Sequence, residues 1–158
     1  MNKHEKQTDG IPKASSTAAA ARMRNQTQRN TVPEVALRSE LHRRGLRYRI
    51  HFSIFDPRRR HDVVFIRAKV VVDIRGCFWH SCPTHGSLPK ANAEWWAEKL
   101  RVNRVRDEDT ISRLKQMGWS SVVVWEHEDP LEAANRIEHV VRSSIVSSAP
   151  HQFRPPDD

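Results

Sequence analysis

Two β-branched runs near the middle of the chain constrain the fold more than any other feature. The segments HDVVFI (61–66) and KVVVDI (69–74) are separated by only two residues. Runs of valine and isoleucine favour strands, and strands joined by so short a connection form an antiparallel hairpin. We therefore predict a β-hairpin at the centre of the fold.

The segments around this hairpin complete a regular α/β pattern. Strands are predicted at residues 48–52 and 121–125, the second of them buried. Helices are predicted at about residues 31–44, 92–117 and from residue 130 onward, because apolar residues recur there at helical spacing between capping residues and glycines. The resulting order, α-β-β-β-α-β-α, predicts an α/β sandwich on a mixed central sheet.

The two ends of the chain differ in composition from this core. Residues 1–20 are polar and rich in alanine and serine, and residues 147–158 are polar and contain three prolines. Such segments bury too little apolar surface to offset the entropy of ordering. We expect an arm at 1–20 that is disordered when free or becomes ordered on a bound partner, a folded domain at 21–146 and a flexible tail at 147–158.

The charge balance restricts the partners of this chain. Its 27 Lys and Arg residues against 19 Asp and Glu give a net charge of +8. That excess suits nucleic acid or a membrane surface, although a solvated basic surface is an ordinary alternative. The chain has no apolar run near the roughly 20 residues of a membrane span, and its first residues lack the apolar core of a secretory signal. We expect a cytoplasmic protein with reduced thiols and no membrane partner.

The segment GCFWHSCPTH (76–85) contains both cysteines and has the character of a metal-binding loop. Cys77, Cys82 and His85 offer three ligands of the types that Zn²⁺ prefers, and His127, directly after a predicted strand, offers a remote fourth. Four protein ligands leave no position for water, so such a site is structural. The alternative is a pair of buried free cysteines with surface histidines.

Acidic side chains on the hairpin suggest a second metal site. Asp62 begins the first strand, while Asp73 and Arg75 lie two residues apart near the end of the second and so share a face. Carboxylates can hold Mg²⁺ beside a phosphate, and a nearby cation can stabilise the charge that develops there. Glu34 on the first helix is a further candidate. The alternative is a set of solvent-facing hairpin charges.

Several longer strings resemble one known family. GCFWHSCPTH, PKANAEWW, NRVRDEDTISRLKQMGW and VVVWEHE together are similar to the very-short-patch repair (Vsr) mismatch endonucleases, over about residues 17–145. The resemblance implies a fold of the restriction-endonuclease, PD-(D/E)XK type with a structural zinc site. It implies a monomeric enzyme that nicks double-stranded DNA beside the T of a T·G mismatch left by deamination of 5-methylcytosine, and a cytosine-5 DNA methyltransferase as its functional partner.

The resemblance also implies roles for individual residues at the site of chemistry. Asp62 and the backbone carbonyl of Ile74 match contacts to Mg²⁺, and Glu34 matches an active-site acid. His80 matches the histidine proposed to activate the attacking water, a role that the near-neutral pKa of a histidine permits. The four zinc ligands are those already proposed from spacing.

Further matched positions concern recognition of DNA. The aromatic residues Phe78, Trp79 and Trp96 match side chains that insert beside the mismatch, and Met23 matches a residue of an N-terminal arm that closes over the minor groove. Helical spacing equally allows Trp96 a place in the core. Ahead of Asp62, three consecutive arginines supply charge for contacts to phosphates: Arg58, Arg59 and Arg60.

Three positions depart from the family pattern. His61 stands where nuclease motifs of this type often carry proline, Asp73 stands where a hydrophobic residue is usual, and Arg75 replaces Asp or His. Either the second acid has moved by two residues to Asp73, or Arg75 weakens catalysis. Two other functions stay open at this point: a non-catalytic, zinc-stabilised DNA-binding module, and a less selective nuclease of the same fold.

Overall fold

The structure is a computed structural model that describes residues 30–147. Its helices are α1 (Val32–Arg43), α2 (Ala93–Gln116) and α3 (Pro130–Ser147), and its strands are β1 (Arg49–Phe52), β2 (His61–Phe65), β3 (Val70–Arg75) and β4 (Ser120–Trp125). The predicted element order is confirmed. The predicted arm, Met23 and nearly all of the predicted tail lie outside the described residues.

The strands form one mixed sheet in the order β1-β2-β3-β4. β2 and β3 are antiparallel, with Val63 opposite Val72 and Val64 opposite Val71, so the predicted hairpin is confirmed. β4 runs parallel to β3, and α2 supplies the crossover that a parallel neighbour requires. The resemblance to the Vsr endonucleases implies a restriction-endonuclease fold, and this mixed α/β architecture is compatible with it.

Helices cover both faces of the sheet. α1 and α3 pack on one face through buried apolar residues that meet alternate residues of the hairpin; these include Leu37, Leu41, Ile137, Val141, Val63, Phe65, Val70 and Val72. On the other face, Leu114 of α2 packs against Val64 and Val71. Alternate residues of the hairpin therefore point into two different apolar layers. Because both faces are buried, the two strands are continuous runs of apolar residues.

The prediction of a buried strand at 121–125 is only partly right. β4 lies at the edge of the sheet, and Val124 is its one fully buried residue. The strand pairs on one side only, so the helices cover it less completely than they cover β2 and β3. In residues 30–147, no helix is long and apolar enough to cross a membrane.

Two helices end where the sequence predicts. Gly45 follows α1 with φ +74°, and Gly118 follows α2 with φ +76°. A Cβ at either position would meet no neighbouring atom within 4 Å, so the positive φ alone accounts for the glycine.

Candidate active site and metal-binding loop

The candidate site begins where β2 and β3 separate. Their backbone pairing with each other extends to Val63 and Val72 and stops there. Beyond this pair β2 still pairs with β1, and β3 still pairs with β4. There the side chain of Asp62 takes the place of a strand partner, because its Oδ2 accepts a hydrogen bond from the backbone N–H of Ile74 at 2.7 Å. The carboxylate is thereby fixed at the mouth of a cleft between the sheet and α2.

The cleft has a volume of about 420 Å³ and a mostly charged lining. The sheet side contributes the predicted residues Asp62, Asp73, Arg75 and His80 together with the arginine loop 58–60. From α2 come four residues that the sequence reasoning missed: Asn103, Arg106, Asp107 and Thr110. The structure therefore brings the predicted catalytic residues of the hairpin and the loop into one space.

Asp62 has an unusual electrostatic environment. Burial, together with the nearby charges of Asp73 and Glu34, raises the pKa of its carboxyl to about 7, against the opposing effect of the hydrogen bond from Ile74. Asp73 and Glu34 thus place negative charge next to Asp62, and a divalent cation bound at Asp62 would offset it. With carboxylate and carbonyl oxygens as donors, the site fits the ligand preference of Mg²⁺.

Glu34 is buried, with 6% of its surface exposed, and it organises the start of α1. Its Oε2 accepts the backbone N–H of Asn30 at 2.8 Å, and its Oε1 accepts the hydroxyl of Thr31 at 2.9 Å. The Thr31 side chain therefore donates to Glu34 and does not cap a backbone N–H. Glu34 acts on the cleft through its charge, which is close enough to raise the pKa of Asp62.

His80 is held by an acid of α2. Its Nδ1 lies 2.6 Å from Oδ2 of Asp107, and Nη1 of Arg75 lies 3.6 Å from the same oxygen. Asp107 lies seven residues from both Leu100 and Leu114, two apolar positions on the inner face of α2. That spacing was the signal that could have identified Asp107 from the sequence.

Asp73 and Arg75 both line the cleft, as their shared strand face predicts. They do not pair with each other. The carboxylate of Asp73 meets Nδ1 of His61 at 2.9 and 3.0 Å, and Arg75 turns to Asp107. The spacing of the sequence motif predicted the face correctly, and the partners come from other segments.

The predicted zinc ligands converge. Ligand atoms of Cys77, Cys82, His85 and His127 all lie within 4.8 Å of one another. Nδ1 of His127 is 3.0 Å from Sγ of Cys77 and 3.9 Å from Sγ of Cys82. These distances are near the separations of about 3.3–3.8 Å between ligands around a tetrahedral Zn²⁺. Two sulfurs and two imidazole nitrogens form a donor set that suits this ion.

Local backbone bonds shape this loop. The N–H of Cys82 donates to the carbonyl of Cys77 at 2.9 Å, and the N–H of Gly86 donates to the carbonyl of Cys82 at 2.8 Å. A Cβ at Gly86 would lie 2.5 Å from that carbonyl oxygen, so the turn requires glycine. Glu126 joins the loop to the end of β4, because its Oε1 accepts the N–H of Cys77 at 2.7 Å.

The thiol of Cys77 is unfavourable to ionise in the metal-free chain. Burial and its neighbour Cys82 raise the pKa of Cys77 to about 11. A metal that binds here has to displace this proton, since the thiolate is the ligand.

The aromatic residues predicted to contact DNA form a cluster. The ring centroid of Phe78 lies 5.1 Å from that of Trp79 and 5.2 Å from that of Trp96. Trp95, which the sequence reasoning missed, also belongs to the cluster, with its ring centroid 4.8 Å from that of Trp96. Trp96 is only 7% exposed, so here it packs beneath the other rings. Phe78 and Trp79 are half-buried and remain the more accessible members.

The three predicted phosphate-binding arginines differ in availability. The side chain of Arg58 is 90% exposed, and Arg60 is also exposed. Arg59 is committed to α2, where it donates to the carboxylate of Asp109 and to the hydroxyl of Thr110. In this arrangement Arg58 and Arg60 can meet phosphates, whereas Arg59 ties the arginine loop to the helix.

The sequence of this chain is similar to those of known proteins. A sequence profile described as DNA mismatch endonuclease Vsr matches residues 13–85, which include α1, the hairpin and the cysteine loop. The Type II nicking enzyme V.XorIIP of Xanthomonas oryzae pv. oryzae is 38% identical over 107 residues, which are 67% of this chain and 77% of that relative. The chain belongs to the Vsr family.

Two further relatives are similar over matches of nearly the same length. The Type II nicking enzyme V.NaeI of Lentzea aerocolonigenes is 44% identical over 106 residues, which span 65% of this chain and 64% of that relative. The DNA mismatch endonuclease Vsr of Escherichia coli is 35% identical over 105 residues, or 66% of each chain. The resemblance stated from the sequence motifs is thereby confirmed.

Proposed function

We propose that this Vsr-family chain is a DNA endonuclease that nicks one strand beside the T of a T·G mismatch and so starts very short patch repair. The observation that carries the proposal is the cleft in which Asp62 and the His80–Asp107 pair meet, directly beside Phe78 and Trp79. The names of its relatives, which are nicking enzymes and a mismatch endonuclease, support the reaction class.

Asp62 and the carbonyl of Ile74 are the groups that would hold Mg²⁺, with Glu34 adding negative charge from behind. When bound, Mg²⁺ supplies Lewis acidity toward a phosphate oxygen and makes a neighbouring water more acidic. The burial of Asp62, with Asp73 and Glu34 nearby, supports this assignment, because a cation bound there would offset the cost of ionising its carboxyl.

His80 is the proposed general base. Its Nδ1 faces the Asp107 carboxylate, so in the neutral ring the proton resides on Nδ1 and Nε2 is left to accept a proton from the attacking water. The water oxygen forms a bond to phosphorus as the bond to the leaving oxygen of the sugar breaks. Arg75, at 3.6 Å from Asp107, stands close enough to stabilise negative charge on the phosphoryl oxygens.

The cysteine loop has a supporting role in this proposal. Zn²⁺ held by Cys77, Cys82, His85 and His127 would fix the loop to the end of β4, with no coordination position left for reaction. The loop carries Phe78, Trp79 and His80 between its cysteines, so the metal would hold both the aromatic residues and the general base.

Phe78 and Trp79 are the proposed wedge beside the mismatch. A T·G wobble pair is more easily unstacked than a matched pair, which makes insertion of flat apolar groups selective. Trp96 supports them from below, given its burial. Arg58 and Arg60 would contact phosphates of either duplex.

The proposed partners follow from this substrate. The enzyme acts as a monomer on double-stranded DNA, in the cytoplasm on the nucleoid. A cytosine-5 DNA methyltransferase creates the methylated base whose deamination produces the mismatch. Cytosine methylation and then deamination must therefore come before the nicking step.

One experiment tests the function. A single labelled duplex is prepared with T·G or T·A at a cytosine-methylation site and incubated with the protein with and without Mg²⁺, beside Asp62→Asn as a control. We expect a single nick in the T-containing strand of the T·G duplex, with Mg²⁺ and wild-type protein only. Equal nicking of both duplexes would indicate a less selective nuclease, and binding without nicking would indicate a DNA-binding module.

A further inference from the structure

Two side-chain bonds bridge the ends of β2 and β3 where their backbone pairing stops. One is the bond from the Ile74 N–H to Oδ2 of Asp62, 2.7 Å long. The other joins Nδ1 of His61 to the carboxylate of Asp73, at 2.9 and 3.0 Å. The bonds involve consecutive residues on each strand, so together they replace a stretch of backbone ladder.

His61 is buried next to β1. Its backbone is opposite Phe52 of β1, and only 2% of the residue is exposed. Among the described residues nothing bonds its buried Nε2, so Asp73 is the one hydrogen-bond partner of this ring. Because the ring is buried and has one hydrogen-bond partner, few other ring orientations would keep a polar contact, so the bond to Asp73 is a rigid link.

Both oxygens of Asp73 are directed at this single nitrogen. Asp62, in contrast, uses Oδ2 for the Ile74 N–H, and no hydrogen bond to its Oδ1 is found within residues 30–147. The two acids of the hairpin therefore differ: one is occupied between the strands, and the other keeps an oxygen available to the cleft.

We propose that His61 is a positioning residue, and that its bond to Asp73 clamps the separated strand ends so that Asp62 stays on the Ile74 N–H with Oδ1 facing the cleft. This inference rests on the proposed role of Asp62 in holding the catalytic cation. It assigns Asp73 to the clamp and not to the cation. It also explains two of the three departures from the family pattern together, since histidine at 61 and aspartate at 73 form one bond.

The Ile74 amide reports on the clamp without any catalysis. In Mg²⁺-free protein, hydrogen exchange of this amide is followed by NMR in wild type, His61→Ala, Asp73→Ala and the double variant, with the Val72 amide as internal reference. Loss of the clamp should raise Ile74 exchange roughly tenfold or more, while Val72 keeps its protection. The double variant should exchange no faster than the single variants, because both remove the same link.

A conservative variant separates positioning from general damage to the fold. His61→Asn places an amide N–H near the position of Nδ1, so it should restore most of the Ile74 protection even if His61→Ala proves too unstable to study. Unchanged Ile74 exchange in the alanine variants, or no rescue by asparagine, would overturn the clamp.

Nicking assays supply the second readout. If the clamp positions Asp62, His61→Ala and Asp73→Ala should lower kcat by a similar factor and leave KM for DNA unchanged. If Asp73 instead binds the cation, Asp73→Ala alone should raise the Mg²⁺ concentration needed for half-maximal rate, and the proposal fails. A wild-type protein that does not nick would refute the proposed function, while Ile74 exchange would still decide the clamp.

Discussion

Nδ1 of His80 lies 2.6 Å from Oδ2 of Asp107, so a residue of the cysteine loop is oriented by a residue of α2. The pair spans 27 positions of sequence, and Arg75 shares the same carboxylate oxygen. An imidazole held in this way has a fixed orientation and a preferred tautomer, and these are the properties that a general base requires.

Asp107→Asn should reduce single-turnover nicking of T·G duplex by roughly 10²-fold, because the amide replaces the carboxylate that orients His80. Binding of DNA should change little. Asp109→Asn is the matched control on the same helix, since Asp109 pairs with Arg59 and Arg113 and not with His80. Equal losses in both variants would mean that Asp107 acts only through the stability of α2.

Asp62 should make the Mg²⁺-free protein less stable as the pH rises. Its folded pKa of about 7 exceeds the ordinary value of 3.8, so its favourable contribution to stability is complete below pH 3.8 and is lost progressively up to about pH 7. Asp62→Asn should therefore raise the free energy of unfolding at pH 8, by at most about 4 kcal/mol, and have little effect near pH 4.

Urea unfolding at both pH values measures this effect. Asp56→Asn serves as the control, because hydrogen bonds from Arg58 lower the pKa of Asp56 and its replacement should not stabilise the protein. Added Mg²⁺ should narrow the difference between wild type and Asp62→Asn at pH 8. A variant that is less stable than wild type at pH 8 would contradict the assigned environment of Asp62.

Purified protein should contain about one Zn²⁺ per chain, measured by elemental analysis. Cys82→Ser should lose this metal and lower the melting temperature, since the loop is then held only by its hydrogen bonds. His127→Ala tests the remote ligand, and His139→Ala, an exposed residue of α3, is its control. A full complement of zinc in Cys82→Ser would refute the ligand set.

Trp79→Ala should weaken binding to T·G duplex by about tenfold or more, since stacking on a base contributes roughly 1–3 kcal/mol. Binding to T·A duplex, which depends mainly on phosphate contacts, should fall much less. Trp96→Ala should instead lower the melting temperature, because this ring is buried among its aromatic neighbours. Equal losses on both duplexes for Trp79→Ala, with zinc retained, would make Trp79 a structural residue.

Arg58→Ala or Arg60→Ala should lower the slope of log affinity against log salt concentration by about one unit each. Arg59→Ala should leave the slope nearly unchanged and reduce stability, because its guanidinium is bound to Asp109 and Thr110. Affinities at four or more salt concentrations distinguish these outcomes, and a large change in slope for Arg59→Ala would show that its pairing opens on DNA.

What could be predicted from the sequence was set by local spacing. The hairpin follows from two β-branched runs, and three of the four clustered metal ligands lie within one loop. The shared face of Asp73 and Arg75 follows from the period of a strand. Each of these features depends only on residues that are close in sequence.

Partners across the fold were not predictable in the same way. Asp73 bonds His61 and Arg75 forms an ion pair with Asp107, and nothing in the motif itself indicates either partner. The exposure of β4 depends on its edge position, which the order of elements leaves open. The role of Asp107 was missed because a polar residue at an inward position of a helix looks like a solvent-facing charge.

Helix α2 contacts the loop at three successive residues: Trp96 packs on Phe78, Asn103 donates to the carbonyl of Trp79 at 3.2 Å, and Asp107 bonds His80. A loop braced along a helix in this way has little freedom to adapt to different duplexes. Under the proposed function the duplex then has to bend, and we expect selectivity to depend on how easily the DNA deforms at the wobble pair. On this reading, flexible steps next to the mismatch should speed nicking even where no side chain reads their bases.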